Sequence, residues 1–235
     1  MSSATADLDL AGVERAYLRS QAYGLLARAL SEPSRALDED LPPALGRVLA
    51  ELGEPADLLA AVEGLRGTVA DLRGRPRVVD QEFTALFVKS EAPPYEGSYV
   101  PGVRLTQEIA DVAGFLQAFG LRASGERPDH LVSELELMAL LCLKEAVAVA
   151  NGLAPEAGVT RDAQASFLRD HLGRWLAAYE EEVRARASLP LYPALAGIVR
   201  TVVERDAGRL GVVPERIAEV PSGEPESIPG CGLAR

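Results

Sequence analysis

Three segments carry side chains that could do chemistry at useful spacing. In the first, Pro128-Asp129-His130-Leu131 runs into Glu134-Leu135-Glu136. Asp129 stands where a helix N-cap is expected, its carboxylate accepting a backbone N–H two or three residues on. His130 and Glu134 are four apart, so a helix puts them on one face. Glu134 and Glu136 interrupt a strongly apolar surface, where a carboxylate is costly unless it is paired or wet. The residues alone leave three readings open: a cap with solvated acids, a receptor for a cationic group, or a metal or acid–base site.

The second segment is Glu91-Ala92-Pro93-Pro94-Tyr95-Glu96-Gly97-Ser98-Tyr99. Tyr95, Glu96 and Tyr99 lie on a backbone stiffened by two prolines. That composition suits an extended arginine-bearing peptide, through cation–π and charge-assisted contacts; an ordered crossing loop whose tyrosines only pack is the alternative. The third segment holds His171 and Trp175, four apart on an apolar helical stripe, which reads chiefly as packing. Nucleotide-binding glycine loops and a strained serine elbow are both missing from the sequence. Two Cys and two His give no zinc signature, and Cys142 in an apolar run with Cys231 in a Gly/Pro stretch gives no disulfide framework. No resident cofactor or metal is expected.

The elements that must position these groups are helical. Leu58, Val62, Leu65, Val69 and Leu72 step by four and three, as do Leu41, Leu45, Val48 and Leu52, and Leu105, Ile109, Val112, Leu116 and Phe119. Gly53 and Gly120 stand where left-handed stops belong. Residues 131–150 are apolar nearly all round, which marks a helix buried at the centre of a bundle. Thr160 is placed to cap the helix carrying Leu168 to Val183, and Pro193 fits the first turn of a last helix. No stretch alternates as a strand would. The expected fold is all-α, a single bundle of about seven to nine helices over residues 1–212. An acidic, Pro/Gly-rich tail, 213–235, is expected to be flexible. The sixteen-residue loop 89–104 is long for a compact bundle, and such loops are usually functional or disordered.

The net charge of −11 over 235 residues argues against a nucleic-acid partner and suits a cationic one. The opening residues, MSSATADLDL, lack a basic start and an apolar stretch, so no secretory signal is expected. The longest strictly apolar run, Leu137 to Leu143, is far short of a membrane span. A cytoplasmic protein is expected.

In order, FTALFVKSEAPPYEGSY at 83–99, ERPDHLVSELELM at 126–138, HLGRWLAAYEEEV at 171–183 and LYPALAGIVRTVVERD at 191–206 resemble the TorD/DmsD family of redox-enzyme maturation chaperones. The resemblance implies a cytoplasmic helical chaperone, not an enzyme. It implies binding of the apo catalytic subunit of a molybdopterin enzyme and of its twin-arginine signal peptide until cofactor insertion and export, as a monomer or a domain-swapped dimer. Carried over by motif, the peptide- or client-binding residues are Tyr95, Glu96, Ser98, Tyr99, Pro128, Asp129, His130, Leu131 and Glu134. Gly97 departs from relatives that often carry a side chain there. Asp129 and Glu96 are expected to supply carboxylates to the paired arginines, and His130 to tune the site with pH. Two other functions stay in competition: a small helical metal-dependent enzyme using Asp129, His130, Glu134 and His171, and a permanent subunit of a redox complex.

Overall fold

The computed structural model describes residues 9–100, 105–122 and 127–217. Its helices are α1 (Leu10–Ser31), α2 (Pro33–Ala36), α3 (Leu41–Glu51), α4 (Ala56–Leu72), α5 (Pro76–Phe83), α6 (Leu105–Ala118), α7 (Leu131–Ala150), α8 (Ala154–Phe167), α9 (Gly173–Arg186) and α10 (Leu191–Arg209). Two π turns interrupt this set. Thr84–Val88 extends α5, and Leu168–Leu172 joins α8 to α9 without a break. The count of separate rods therefore falls in the expected range, because α2 is a single turn and α8 and α9 are one rod. Among the described residues no strand forms; the one β-like feature is an isolated antiparallel bridge between Tyr95 and His130.

The local causes are those the sequence offers. Asp9 caps α1 by accepting the Gly12 N–H at 2.8 Å. Gly53 and Gly120 adopt φ of 73° and 84°, the left-handed conformation that ends α3 and α6 at low steric cost. Two cap assignments are corrected. The N-cap of α7 is His130, whose Nδ1 accepts the Val132 N–H at 3.1 Å; the Asp129 carboxylate is engaged elsewhere. Thr160 caps nothing, for it lies inside α8 and turns its hydroxyl back onto the carbonyl oxygens of Ala157 and Glu156.

α7 is the central rod. α1 packs along it on one side and α8 on another, α9 pairs with α10, and α10 and α3 each lie against α4. Its apolar residues Leu131, Leu135, Leu137, Met138, Leu141 and Cys142 are at most 1% exposed, whereas Leu143 and Val147 toward its C-terminal end are exposed. A run of aromatic contacts crosses the core: Phe83 to Phe87 (5.2 Å between ring centres), Phe87 to Tyr192 (5.1 Å), Phe87 to Tyr179 (6.4 Å), Tyr179 to Trp175 (5.5 Å) and Trp175 to Tyr99 (5.5 Å).

Charge is buried in this core too. Arg19 of α1 forks onto Asp206 of α10, with Nε 2.6 Å from Oδ1 and NH2 2.8 Å from Oδ2. It also donates to Glu145 of α7 at 3.1 Å and to Gln164 of α8 at 2.5 Å. One guanidinium thus ties four helices together, and nothing in the spacing of Arg19 and Asp206, at opposite ends of the chain, announces it.

Residues 212–217 return across the bundle. Pro214 lies against Gly173, where an added Cβ would stand 2.5 Å from Pro214 Cγ and 2.3 Å from the Leu168 carbonyl oxygen of the π turn, and the Ile217 N–H donates to the Arg174 carbonyl at 3.1 Å. The rest of the expected tail, with Cys231, lies outside the described residues, as do residues 101–104 of the long loop. No helix among the described residues is long and apolar enough to cross a membrane.

Candidate functional site

The loop after the first π turn is bent back on the body at once. Ser90 takes a positive φ of 62°, and the Ala92 N–H donates to the Leu86 carbonyl at 2.8 Å. Beyond the two prolines the loop zips to the chain that enters α7. The Leu131 N–H donates to the Pro94 carbonyl at 2.9 Å, and the Glu96 N–H to the Asp129 carbonyl at 3.0 Å. The Gly97 N–H donates to Asp129 Oδ2 at 3.0 Å. The backbone of Gly97 thus makes the hydrogen bond for which the sequence offered no side chain. The two segments that were notable in the sequence form one wall.

The outer side of that wall carries Tyr95 and His130, both half-buried, with ring centres 5.1 Å apart and edge to face. Arg127 lies over the Tyr95 ring at 4.7 Å and forks onto Asp129, Nε to Oδ1 at 2.9 Å and NH2 to Oδ2 at 2.6 Å. Pro128 and Ser98 are half-buried, and Leu131 is buried beneath them. Below the wall is a cleft of about 530 Å³. Phe83, Phe87, Val88, Leu116, Leu121 and Val132 supply its apolar surface, and Tyr95, His130, Ser133 and Glu136 its polar edge. Glu136, one turn into α7, is exposed.

The inner side of the wall faces the core. Glu96 and Glu134 are both fully buried. Glu96 Oε2 lies 3.1 Å from His171 Nδ1, and its other oxygen is 4.0 Å from the Arg174 guanidinium. Glu134 Oε2 accepts the Trp175 indole N–H at 3.2 Å. Tyr99 stacks on Trp175 with an interplanar angle of 23°. Glu96 Oε1 and Glu134 Oε1 are buried without a hydrogen-bond partner. Burial pushes the Glu96 carboxyl above its ordinary range, and His171 draws it partly back. Burial and then the neighbouring Glu96 charge push Glu134 well above the carboxylate range.

The predicted residues therefore divide. Tyr95, Ser98, Pro128 and His130 reach the surface; Asp129 reaches it only through Arg127; Glu96, Tyr99, Leu131 and Glu134 support the wall from within. Asp129 and Glu96, paired by the sequence as joint arginine receptors, face different ways. His130 and Glu134 part as well, the imidazole turning back as a cap and the carboxylate going inward. His171 and Trp175, read chiefly as packing, hold Glu96 and Glu134. The π turn helps to set their positions, since its extra residue rotates the side chains beyond it about the helix axis. His171 and Trp175 were in view as a pair, but nothing in their spacing named carboxylate partners far along the chain.

The metal reading fails on geometry. Asp129, His130 and Glu134 do not converge. Among the described residues the group able to offer a cation several ligand atoms is Glu96, Glu108 and His171, all within 4.8 Å of one another. Arg174 sits beside it, 3.5 Å from Glu108 and 4.0 Å from Glu96, and already supplies positive charge. The four groups make a buried ionic cluster at one side of a second, open cavity of about 620 Å³ along α6.

Residues 38–180, which contain both segments of the wall and Trp175, match the family model described as nitrate reductase delta subunit. The chain is 29% identical to the perchlorate reductase assembly chaperone of Dechloromonas aromatica over 82% of its length and 89% of the relative's. It is 31% identical to the selenate reductase assembly chaperone of Thauera selenatis, over 60% of its own length and 75% of the relative's. It is 26% identical to the chaperone protein TorD of Photobacterium profundum, over 69% and 79%. The chain belongs to the TorD/DmsD family of redox-enzyme maturation chaperones. It is accordingly an assembly chaperone and not an enzyme, and the catalytic use of Asp129, His130 and Glu134 is set aside.

Proposed function

We infer that this chaperone binds, in the cytoplasm, the apo catalytic subunit of a molybdopterin-containing reductase together with its twin-arginine leader, until the cofactor is inserted. The relatives are named for assembly of perchlorate, selenate and chlorate reductases, which supports a reductase subunit as the client. The observation that carries the leader reading is the wall itself, with an aromatic and carboxylate edge above an apolar cleft. A leader offers the complement, two guanidinium groups followed by an apolar stretch. Arginine pairs with a carboxylate through a planar fork and stacks on aromatic faces. Asp129 and the Tyr95 face provide such a subsite, Glu136 lies within the same cleft, and Phe83, Phe87 and Leu116 accept the apolar stretch. The net charge of −11 hastens encounter with a cationic leader, an effect that salt weakens.

Titration calorimetry of the full chain with a synthetic paired-arginine leader tests the reading. Asp129→Asn keeps an oxygen for the Gly97 N–H and removes the charge. Binding is expected to weaken about tenfold, as for loss of a charged hydrogen bond. The melting temperature should fall by no more than about 2–4 °C, because the partner it loses, Arg127, is largely exposed. A large fall in melting temperature with unchanged affinity would make Asp129 a loop anchor and place the receptor elsewhere.

A further inference from the structure

The subsite just described already contains a guanidinium. Arg127 donates to both oxygens of Asp129, at 2.9 and 2.6 Å, and lies 4.7 Å from the Tyr95 ring centre. Fork and stack together are how an incoming arginine would be held. The Asp129 carboxylate is fully buried while the Arg127 side chain is 41% exposed, so Arg127 is the group that covers the carboxylate. Asp129 is itself fixed from behind by the Gly97 N–H, so the receptor keeps its shape whichever guanidinium occupies it.

We propose that Arg127 is a built-in placeholder: the Asp129–Tyr95 pair is a guanidinium receptor filled by the protein's own arginine, which a client arginine displaces. The source of the displacing guanidinium rests on the leader reading above; the occupancy and exchange do not. Arg127 reaches solvent, where its charge is screened and rehydrated on release, so it can be displaced, yet it is tethered two residues away and is always present. A competitor of that kind lowers apparent affinity in proportion to its own occupancy. A lone arginine gains little over it. A ligand that adds a second arginine and an apolar stretch gains the extra contacts. The placeholder thus sets a threshold that a complete leader passes and scattered arginines on other proteins do not.

Thermal melting of Arg127→Ala with N-acetyl-arginine amide tests the exchange directly. The ligand, at a concentration that half-saturates the variant, should raise the melting temperature of the variant several times more than that of the unsubstituted protein; N-acetyl-lysine amide should move neither, and Asp129→Asn added to the variant should abolish the response. Arg127→Gln is the substitute where the alanine variant folds poorly. Both variants should also bind a single-arginine leader about fivefold tighter than the unsubstituted protein does, the factor for losing a competitor of this exposure. Absence of an arginine-amide response in both variants, or an equal response in the unsubstituted protein, overturns the placeholder even where leaders bind. A larger arginine-amide response in the variants, with no leader bound by any form, leaves the guanidinium receptor standing and removes the leader as its ligand.

Discussion

Two of the groups of buried charge in this bundle are built differently. The first, around Arg19, joins helices only. Asp206 takes the fork from Arg19 and the Tyr23 hydroxyl at 2.9 Å. Glu145 takes Arg19, Gln164 Nε2 and Arg161. The second, around Glu96, joins a loop, α6, a π turn and α9, and Glu108, His171 and Arg174 of it line the cavity along α6. Glu96 Oε1 there has no hydrogen bond, nor has Oε1 of the neighbouring Glu134. A buried oxygen without a partner carries a desolvation cost. The Arg19 group carries no such oxygen, although Tyr192 Oη and Arg200 Nε elsewhere in the bundle do lack a hydrogen-bond partner. Each π turn also lies at a cavity: Phe87 and Val88 line the cleft, and His171 lines the second cavity. The difference teaches that the Arg19 group ties helix to helix, and that the Glu96 group ties the wall to the bundle with part of its hydrogen-bonding capacity unused.

Arg19→Met should break the first group and produce the largest effect on stability. Removing one partner of a buried pair typically costs about 3–5 kcal/mol. Asp206 keeps Tyr23, and Arg209 stands 3.7 Å away, so the lower end is expected. For a chain of this size that is a fall in melting temperature of about 6–12 °C. Leader affinity, measured well below the transition, should stay within about twofold, since Arg19 touches neither cleft nor wall. A parallel loss of affinity would erase the distinction between the two groups.

Glu96→Gln should show the opposite balance. The substitution keeps the shape and the backbone bond to Asp129, but removes the charge facing His171 and Arg174. Gln also keeps an amide able to hydrogen-bond His171, so the stability cost should be about 1–2 kcal/mol. The inner anchor of residues 94–99 weakens, and leader affinity should drop by about tenfold, more than stability accounts for. Denaturant melts and calorimetry on one preparation give both numbers. Affinity untouched by a measured loss of stability would make the Glu96 group merely structural.

The legible part of the molecule was the part set by period and punctuation. Apolar steps of three and four placed α3, α4, α6 and α7, and Gly53 and Gly120 marked two ends, because those signals are local. The wall was half legible. Its two segments stood out by composition, but their zipping depends on main-chain bonds between Pro94 and Leu131 that no side chain announces. Asp129 looked like a cap because the residue type fits; His130 took the role, since Asp129 is held by Gly97 and Arg127. The rod through Leu168 to Val183 was read as one helix but begun too late, at Thr160 and not at Ala154, because threonine is a capping type, and its π turn carries no sequence mark. The Arg19–Asp206 fork spans nearly the whole chain, and pairing at that separation is decided by packing alone.

Glu134→Gln gives the smallest effect and the sharpest test of the wall. Glu134 is wholly buried and accepts a single bond, from the Trp175 indole. Burial, then the Glu96 charge, raises its carboxyl well above the ordinary range, and the indole only partly offsets this. Unfolded, the same side chain titrates near pH ~4.3. From there up to the raised folded value the folded state binds more protons than the unfolded one, so Glu134 makes stability fall as pH rises. Below the unfolded value the contribution is intact. Glutamine copies the neutral acid and cannot titrate. The melting temperatures of the two proteins should therefore nearly coincide near pH ~4 and separate toward pH ~8, with the variant higher. Trp175 is the sole tryptophan, so its emission reads the same site, and it should shift with pH in the unsubstituted protein only. Parallel melting curves across that range would mean that Glu134 is charged and satisfied in the folded state, and the wall would then be as fully paired as the Arg19 group.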